Sequence, residues 1–238
     1  DKKNRLLSGW NEIGGNVYYF GRGGVVADGW EDIDEDTYYF DKTTHVAATG
    51  WTNTDQYTDD EKKKIKEFKS NVSKLVKFEK GDYKKDEKPD EKETQKLEEL
   101  ADKFGEKTFN AYDRKVYEKF GGAVFYQYYF YSDHTLCTGF HKINGYYFYF
   151  DEETGKKATG WKTIDGKRYY FGLTGAAAVG EFEEDGDKKY TFSNEGVLAD
   201  GIVKIDAEWK FKKEDGSWAK SEFVTSKGNI YYIGEDEA

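Results

Sequence analysis

The sequence predicts a mainly β protein: a β-hairpin solenoid of about eight repeats of about 21 residues, with a small three-helix domain inserted into the third hairpin. Three observations carry this. Gly-Trp pairs recur at Gly9-Trp10, Gly29-Trp30, Gly50-Trp51 and Gly160-Trp161, with weaker copies at Gly139-Phe140, Gly180-Glu181-Phe182, Gly201-Ile202 and Glu222-Phe223. An aromatic triplet follows each start, as in Tyr18-Tyr19-Phe20, Tyr38-Tyr39-Phe40, Phe148-Tyr149-Phe150 and Tyr169-Tyr170-Phe171. Between start and triplet lie turn signals such as Asp165-Gly166, the strongest short-range mark of a two-residue hairpin loop.

Taken in order, the first two units run without interruption. The third opens at Gly50-Trp51, but its triplet, Tyr128-Tyr129-Phe130, comes only after a long detour. The spacing therefore assigns residues 1–56 to N-terminal repeats, 57–123 to an insertion at a hairpin tip, and 124–238 to the remaining repeats. Hairpin tips accept whole domains because the chain ends there are already close. An isolated hairpin is marginal in water. Stacked hairpins can bury their aromatic faces against each other.

The insertion has another character. Thr58-Asp59-Asp60-Glu61 has capping-box spacing, and Ile65, Phe68, Val72, Leu75 and Val76 follow at helical period up to Gly81. Pro89 with Asp90 and Glu91 opens a second helix carrying Leu97, Leu100 and Phe104, which Gly105 should close. A third runs from about Thr108 through Phe109, Tyr112, Val116 and Phe120 to Gly121-Gly122. A small bundle is expected, or else a charged helical hairpin packed on the repeats.

Composition limits the function. Aromatic residues are 18% of the chain against 37% for all hydrophobic residues, so rings rather than aliphatic side chains must supply much of the core. The net charge of −10 argues against nucleic acid as partner, since phosphate binding needs basic patches. The single Cys137 precludes an intrachain disulfide, and its small-residue slot suits a buried thiol. No stretch has the length of a membrane span, no signal peptide is evident, and the chain begins within a repeat, as a piece of a longer protein would. His45, His134 and His141 have no Cys cluster or carboxylate motif beside them, and there is no phosphate loop or nucleophile elbow. The sequence thus points to a protein that is not an enzyme, with no catalytic residues, no cofactor and no metal.

In-register Gly-Trp, Ile-Asp-Gly and Tyr-Tyr-Phe make residues 1–56 and 124–238 similar to the cell-wall-binding repeat superfamily. That superfamily embraces choline-binding modules of Gram-positive surface proteins, the short repeats of large clostridial toxins, and the glucan-binding repeats of glucansucrases. Ala158 to Phe171 looks most like the toxin repeats. Choline-binding repeats carry a second Trp before the triplet. Here that slot holds Val17, Thr37, Gln127, Tyr147 and Arg168, which speaks against the two-Trp choline cage. The resemblance implies an extracellular binding module, secreted or held at the cell wall, whose partner is a glycan or cell-wall polymer. The candidate ligand-binding residues are Trp10, Tyr19, Trp30, Tyr39, Trp51, Tyr129, Trp161 and Tyr170. The alternative is a surface adhesin that binds a host or partner protein through 57–123, a segment resembling no known family.

Overall fold

The computed structural model describes residues 5–54, 57–84, 87–184, 188–199, 201–205, 208–213, 217–226 and 228–234. The sequence boundary at Gln56, and the repeat residues Asp55 and Asp200, lie outside these. Among the described residues, sixteen strands form eight two-stranded antiparallel sheets. The hairpins are β1 (Gly9–Ile13) with β2 (Asn16–Phe20), β3 (Gly29–Ile33) with β4 (Asp36–Phe40), and β5 (Gly50–Thr52) with β6 (Tyr128–Phe130). Next come β7 (Gly139–Ile143) with β8 (Tyr146–Phe150), β9 (Gly160–Ile164) with β10 (Lys167–Phe171), and β11 (Gly180–Glu184) with β12 (Lys188–Phe192). The last two are β13 (Gly201–Ile205) with β14 (Glu208–Lys212) and β15 (Glu222–Ser226) with β16 (Asn229–Ile233). The fold is thus the hairpin-repeat class that the sequence spacing predicts, with Trp51 directly opposite Tyr129 across the interrupted third hairpin.

Two local devices make each repeat. The hairpin turn at Asp165-Gly166 has φ of 49° and 72°, the doubly left-handed geometry whose twist matches the flanking strands. After the triplets of the first six hairpins the chain doubles back, and its returning residue bridges to the triplet's Phe, as Phe40 to Ala47 and Phe130 to Leu136; in the seventh hairpin the bridge is Lys212 to Trp218. The neighbouring amide then donates to the middle residue of the triplet, as Ala48 N to Tyr39 O at 2.8 Å and Ala178 N to Tyr170 O at 2.8 Å. The bridging residue itself donates to the preceding hairpin: Ala47 N to Val17 O, Leu136 N to Thr37 O, Lys157 N to Gln127 O, Ala177 N to Tyr147 O and Leu198 N to Arg168 O, all between 2.8 and 3.0 Å. Hairpins two to six are therefore each stitched to the one before at the slot where choline-binding repeats have their second Trp.

Side-chain alternation gives each hairpin two different faces. The first and third triplet residues share one face, and there Phe40, Phe130, Phe150, Phe171 and Phe192 are almost fully buried. The middle Tyr points the other way, beside the Trp of the opposite strand.

The insertion forms α1 (Asp59–Lys80), α2 (Glu91–Lys103) and α3 (Phe109–Phe120). The capping box at Thr58 and Glu61 is made, and Gly81 ends α1 in the left-handed conformation. Asp90 and Thr108 cap the other two helices. The sequence expected Gly105 to close α2; Phe104 takes the C-cap, its amide donating to Ala101 O at 3.1 Å, and Gly105 N follows by donating to Asp102 O at 2.9 Å without a left-handed residue. The three helices meet at the buried Phe68, whose ring lies 5.8 Å from Phe104, 5.9 Å from Tyr117 and 5.8 Å from Phe125. Phe125 falls just past the segment that spacing had assigned to the insertion.

The contacts group into two units: Asp1–Gln56, Tyr126–Phe140 and Tyr149–Lys157, and separately Tyr57–Phe125, His141–Phe148 and Ala158–Ala238. The helices thus belong with the later hairpins. In that second unit α3 is the docking element. Phe109 stacks on Tyr170 at 4.1 Å and on Phe182 at 4.6 Å. The Tyr112 hydroxyl donates to Ala177 O at 2.7 Å, and burial pushes that phenol's pKa well above its usual value, so the group stays a donor.

Asp113 makes the docking specific. In hairpins two and four the residue after the triplet is an aspartate that folds its own loop. Asp41 accepts from Thr43 N, Thr44 N and the Thr44 hydroxyl, and Asp151 does the same for Glu153 and Thr154. In hairpin five that position is Gly172, and a side chain there would collide with the Asp113 carboxylate. The buried Asp113 accepts instead from Leu173 N at 2.8 Å, Thr174 N at 2.8 Å and the Thr174 hydroxyl. A helix therefore supplies in trans the loop-folding carboxylate that this repeat lacks.

Asp113→Ala should lower stability by about 2–3 kcal/mol, because it leaves buried amides without an acceptor. Gly172→Asp in that background should recover part of the loss, and urea unfolding of the three proteins checks both. Cys137 is fully buried and its thiol pKa is raised, chiefly by burial. Iodoacetamide should therefore leave it unlabelled until the chain unfolds, as mass spectrometry would show.

Candidate aromatic binding sites

The eight candidate residues fall into four cross-strand pairs: Trp10 with Tyr19, Trp30 with Tyr39, Trp51 with Tyr129 and Trp161 with Tyr170. Ring centroids are 5.2, 5.1, 5.2 and 5.2 Å apart, with interplanar angles of 63°, 61°, 76° and 65°. Edge-to-face geometry directs each tyrosine's positive ring edge toward the indole or the reverse, the arrangement favoured by ring quadrupoles.

Each indole also meets rings that sequence reasoning did not assign to it, and these come from the next hairpin. Trp10 lies 4.8 Å from Tyr38 and 5.7 Å from Phe40. Trp30 lies 4.9 Å from Tyr128 and 5.8 Å from Phe130, and Trp161 lies 5.1 Å from Tyr190 and 5.9 Å from Phe192. Trp51 meets Phe150 at 5.9 Å. The Trp face of one hairpin thus sits on the face of its successor that carries the first and third triplet residues. The signal was available in the register: Tyr-x-Phe must leave two rings on the face opposite the middle Tyr.

The sites differ in their remaining walls. Trp10 is 40% exposed, and His134 from hairpin three stacks beside it at 6.3 Å with 16° between planes. His134 has φ of 73° and His45 has φ of 59°, at the connector position where Gly155, Gly175 and Gly196 stand in other repeats. Left-handed backbone at a non-glycine residue carries a strain cost that a side-chain role can offset. For His134 that role includes an Nδ1 contact of 3.1 Å to Ala48 O. Trp30 and Leu136 pack together against Tyr39, Tyr128 and Phe130. Over Trp51 stands the ammonium of Lys157, 4.9 Å from the ring centre, and over Trp161 stands the Arg168 guanidinium at 4.8 Å.

The hairpin with β11 and β12 departs from the pattern. In its register Glu181 pairs with Thr191 where hairpins one, two, three and five pair Trp with Tyr, and Phe182 lies on the other face, with Tyr190 opposite it. Hairpin eight restores the pair with Phe223 and Tyr232 at 5.0 Å.

Models of two related repeats match the chain: "Choline-binding repeat" over residues 158–201, and "Putative cell wall binding repeat" over residues 8–25 and 138–155. No curated protein sequence matches it. Among solved structures, it is similar to CbpJ of Streptococcus pneumoniae (20% identity, TM-score 0.51) and to choline binding protein F of Streptococcus pneumoniae, solved in the presence of a peptidoglycan analogue (19% identity, TM-score 0.52). Each alignment covers 96% of this chain and 56% of the other, so the chain spans little more than half the length of either. At this identity the likeness establishes the shared fold.

A double-mutant cycle on Trp30 and Tyr128, residues of successive hairpins, should return a coupling of about 0.5–1.5 kcal/mol. Chemical denaturation of the two single variants and the double variant measures it.

Proposed function

Because these hairpins are repeats of the cell-wall-binding superfamily, we propose that the chain is a non-catalytic module that holds a Gram-positive cell-wall polymer through its aromatic sites. The ligand group is the quaternary ammonium of choline substituents on that polymer. One observation carries the reading: an indole ringed by a tyrosine of its own hairpin and by two rings of the next, repeated at nearly constant spacing. Aromatic faces attract a cation that has shed its water, by about 2 kcal/mol or more per desolvated contact. A trimethylammonium group suits such a site because it donates no hydrogen bond and asks for none.

The missing second Trp does not remove the site. The rings from the following hairpin, Tyr38 with Phe40 and Tyr128 with Phe130, supply the walls. Each site alone is weak, and a polymer that engages several at once gains affinity through effective concentration. Acidic residues elsewhere keep an aromatic-rich surface soluble. The function needs a surface location, secreted or attached to the wall, and no chemistry of its own.

Choline chloride at ten times its dissociation constant should add about 1.4 kcal/mol of stability per occupied site. For a chain of this size that raises Tm by at least about 3 °C. Thermal melts with choline, and with glucose as a neutral control, check it. An unchanged Tm at about 50 mM choline would contradict the quaternary-ammonium reading, and a glycan array on the same protein would then test sugar stacking on Trp10.

A further inference from the structure

Two of the four Trp-Tyr sites already hold a cation of the chain itself. Lys157 stands at the bridging position of its repeat, which carries Ala47, Leu136 and Leu198 elsewhere, and its ammonium lies 4.9 Å over the Trp51 ring. The residue is only 8% exposed. A buried ammonium is costly unless it is compensated, and an indole face supplies part of that compensation. Arg168 reaches Trp161 by another route. It pairs with Thr163 across the hairpin, two residues along from the Trp161–Tyr170 pair and on the same face. Its guanidinium carbon lies 4.8 Å from the ring centre, at the slot where other hairpins carry Val17, Thr37 and Gln127. Among the described residues, no Lys or Arg stands over Trp10 or Trp30.

We propose that Lys157 and Arg168 are specificity-determining residues that close the Trp51 and Trp161 sites to cationic ligands, leaving Trp10 and Trp30 as the ligand-receptive pair. This rests on the quaternary-ammonium reading above and refines it. An ionised side chain fixed on an indole face opposes a second cation there twice over, by occupying the face and by like-charge repulsion at short range. The internal cation also needs no translational entropy to bind, so a weak soluble ligand competes with it at a disadvantage. At the Trp161 site Phe109 of α3 adds a further barrier, since its ring covers Tyr170. The insertion and Arg168 thus act on one site from two sides.

The test is choline titration of the full chain, followed through the indole N–H signals of its six tryptophans by two-dimensional NMR. The Trp10 and Trp30 signals should shift in a saturable way while those of Trp51 and Trp161 stay in place. Calorimetry should count two sites. Lys157→Gln should raise the count to three and bring the Trp51 signal into the titration. Equal shifts at all four indoles, or a count that Lys157→Gln leaves unchanged in a protein with native melting behaviour, would overturn the proposal. If the wild-type chain and Lys157→Gln both give no choline response, the quaternary-ammonium reading itself has failed, and the closed-site proposal falls with it.

Discussion

The hairpin array depends on one packing constraint: an aromatic face must find the rings of the following repeat, as the Trp10, Trp30 and Trp161 indoles each find two. A two-stranded sheet has too little apolar area to be stable alone. Alternation along the strands gives four of the hairpins a face with Trp and the middle Tyr, and an opposite face with the outer two triplet residues. These faces are complementary to each other and not to themselves. The repeat therefore propagates in one direction, with each hairpin finishing the core of its predecessor. Backbone bonds from the bridging residue to the preceding hairpin fix the rotation, and the ring spacings stay nearly constant as a result. The same geometry creates the candidate sites. An indole edge left partly open between two hairpins is a by-product of stacking, and the residues lining it are free to vary around a fixed frame.

That separation between frame and lining explains how the sites can diverge. At one slot the frame uses the backbone carbonyl of Val17, Thr37, Gln127 or Arg168, so the side chain there can vary. At the bridging slot it accepts Ala47, Leu136 or Lys157, of which Ala47 and Leu136 pack into the aromatic cores. Charge can thus be placed over an indole where the ring face offsets part of its burial. The residues that match the choline-binding repeat model, 158–201, contain the site that carries Arg168. Likeness of frame and openness of site are separate properties.

Much of the frame was legible in the sequence. Gly-Trp, Asp-Gly and Tyr-Tyr-Phe are short-range signals with a fixed period, and they place all four Trp-Tyr pairs, including the one split by the insertion. The helix caps at Thr58, Asp90 and Thr108 were equally local. What escaped was whatever joins one repeat to another. Repeat spacing does not say that the rings of Tyr38, Tyr128 and Tyr190 wall the site of the hairpin before. His134 reads as a connector residue, and its stacking beside Trp10 depends on a left-handed backbone that sequence does not display. Asp113 is the sharpest case. Its role can be seen only beside the absence of a carboxylate at Gly172, and that pairing spans sixty residues of chain. Helix periodicity marked Phe109 and Tyr112 as apolar without saying that their partners lie among the hairpins.

The central claim is the interlock between successive hairpins, and ring-to-ring proton contacts measure it most directly. Nuclear Overhauser spectra of the intact protein should show strong cross-peaks from the Trp10 indole to the ring protons of Tyr38, whose centroid lies 4.8 Å away, and weaker ones to Phe40. A Trp10 indole with cross-peaks to Tyr19 alone, and none to the second hairpin, would contradict the account.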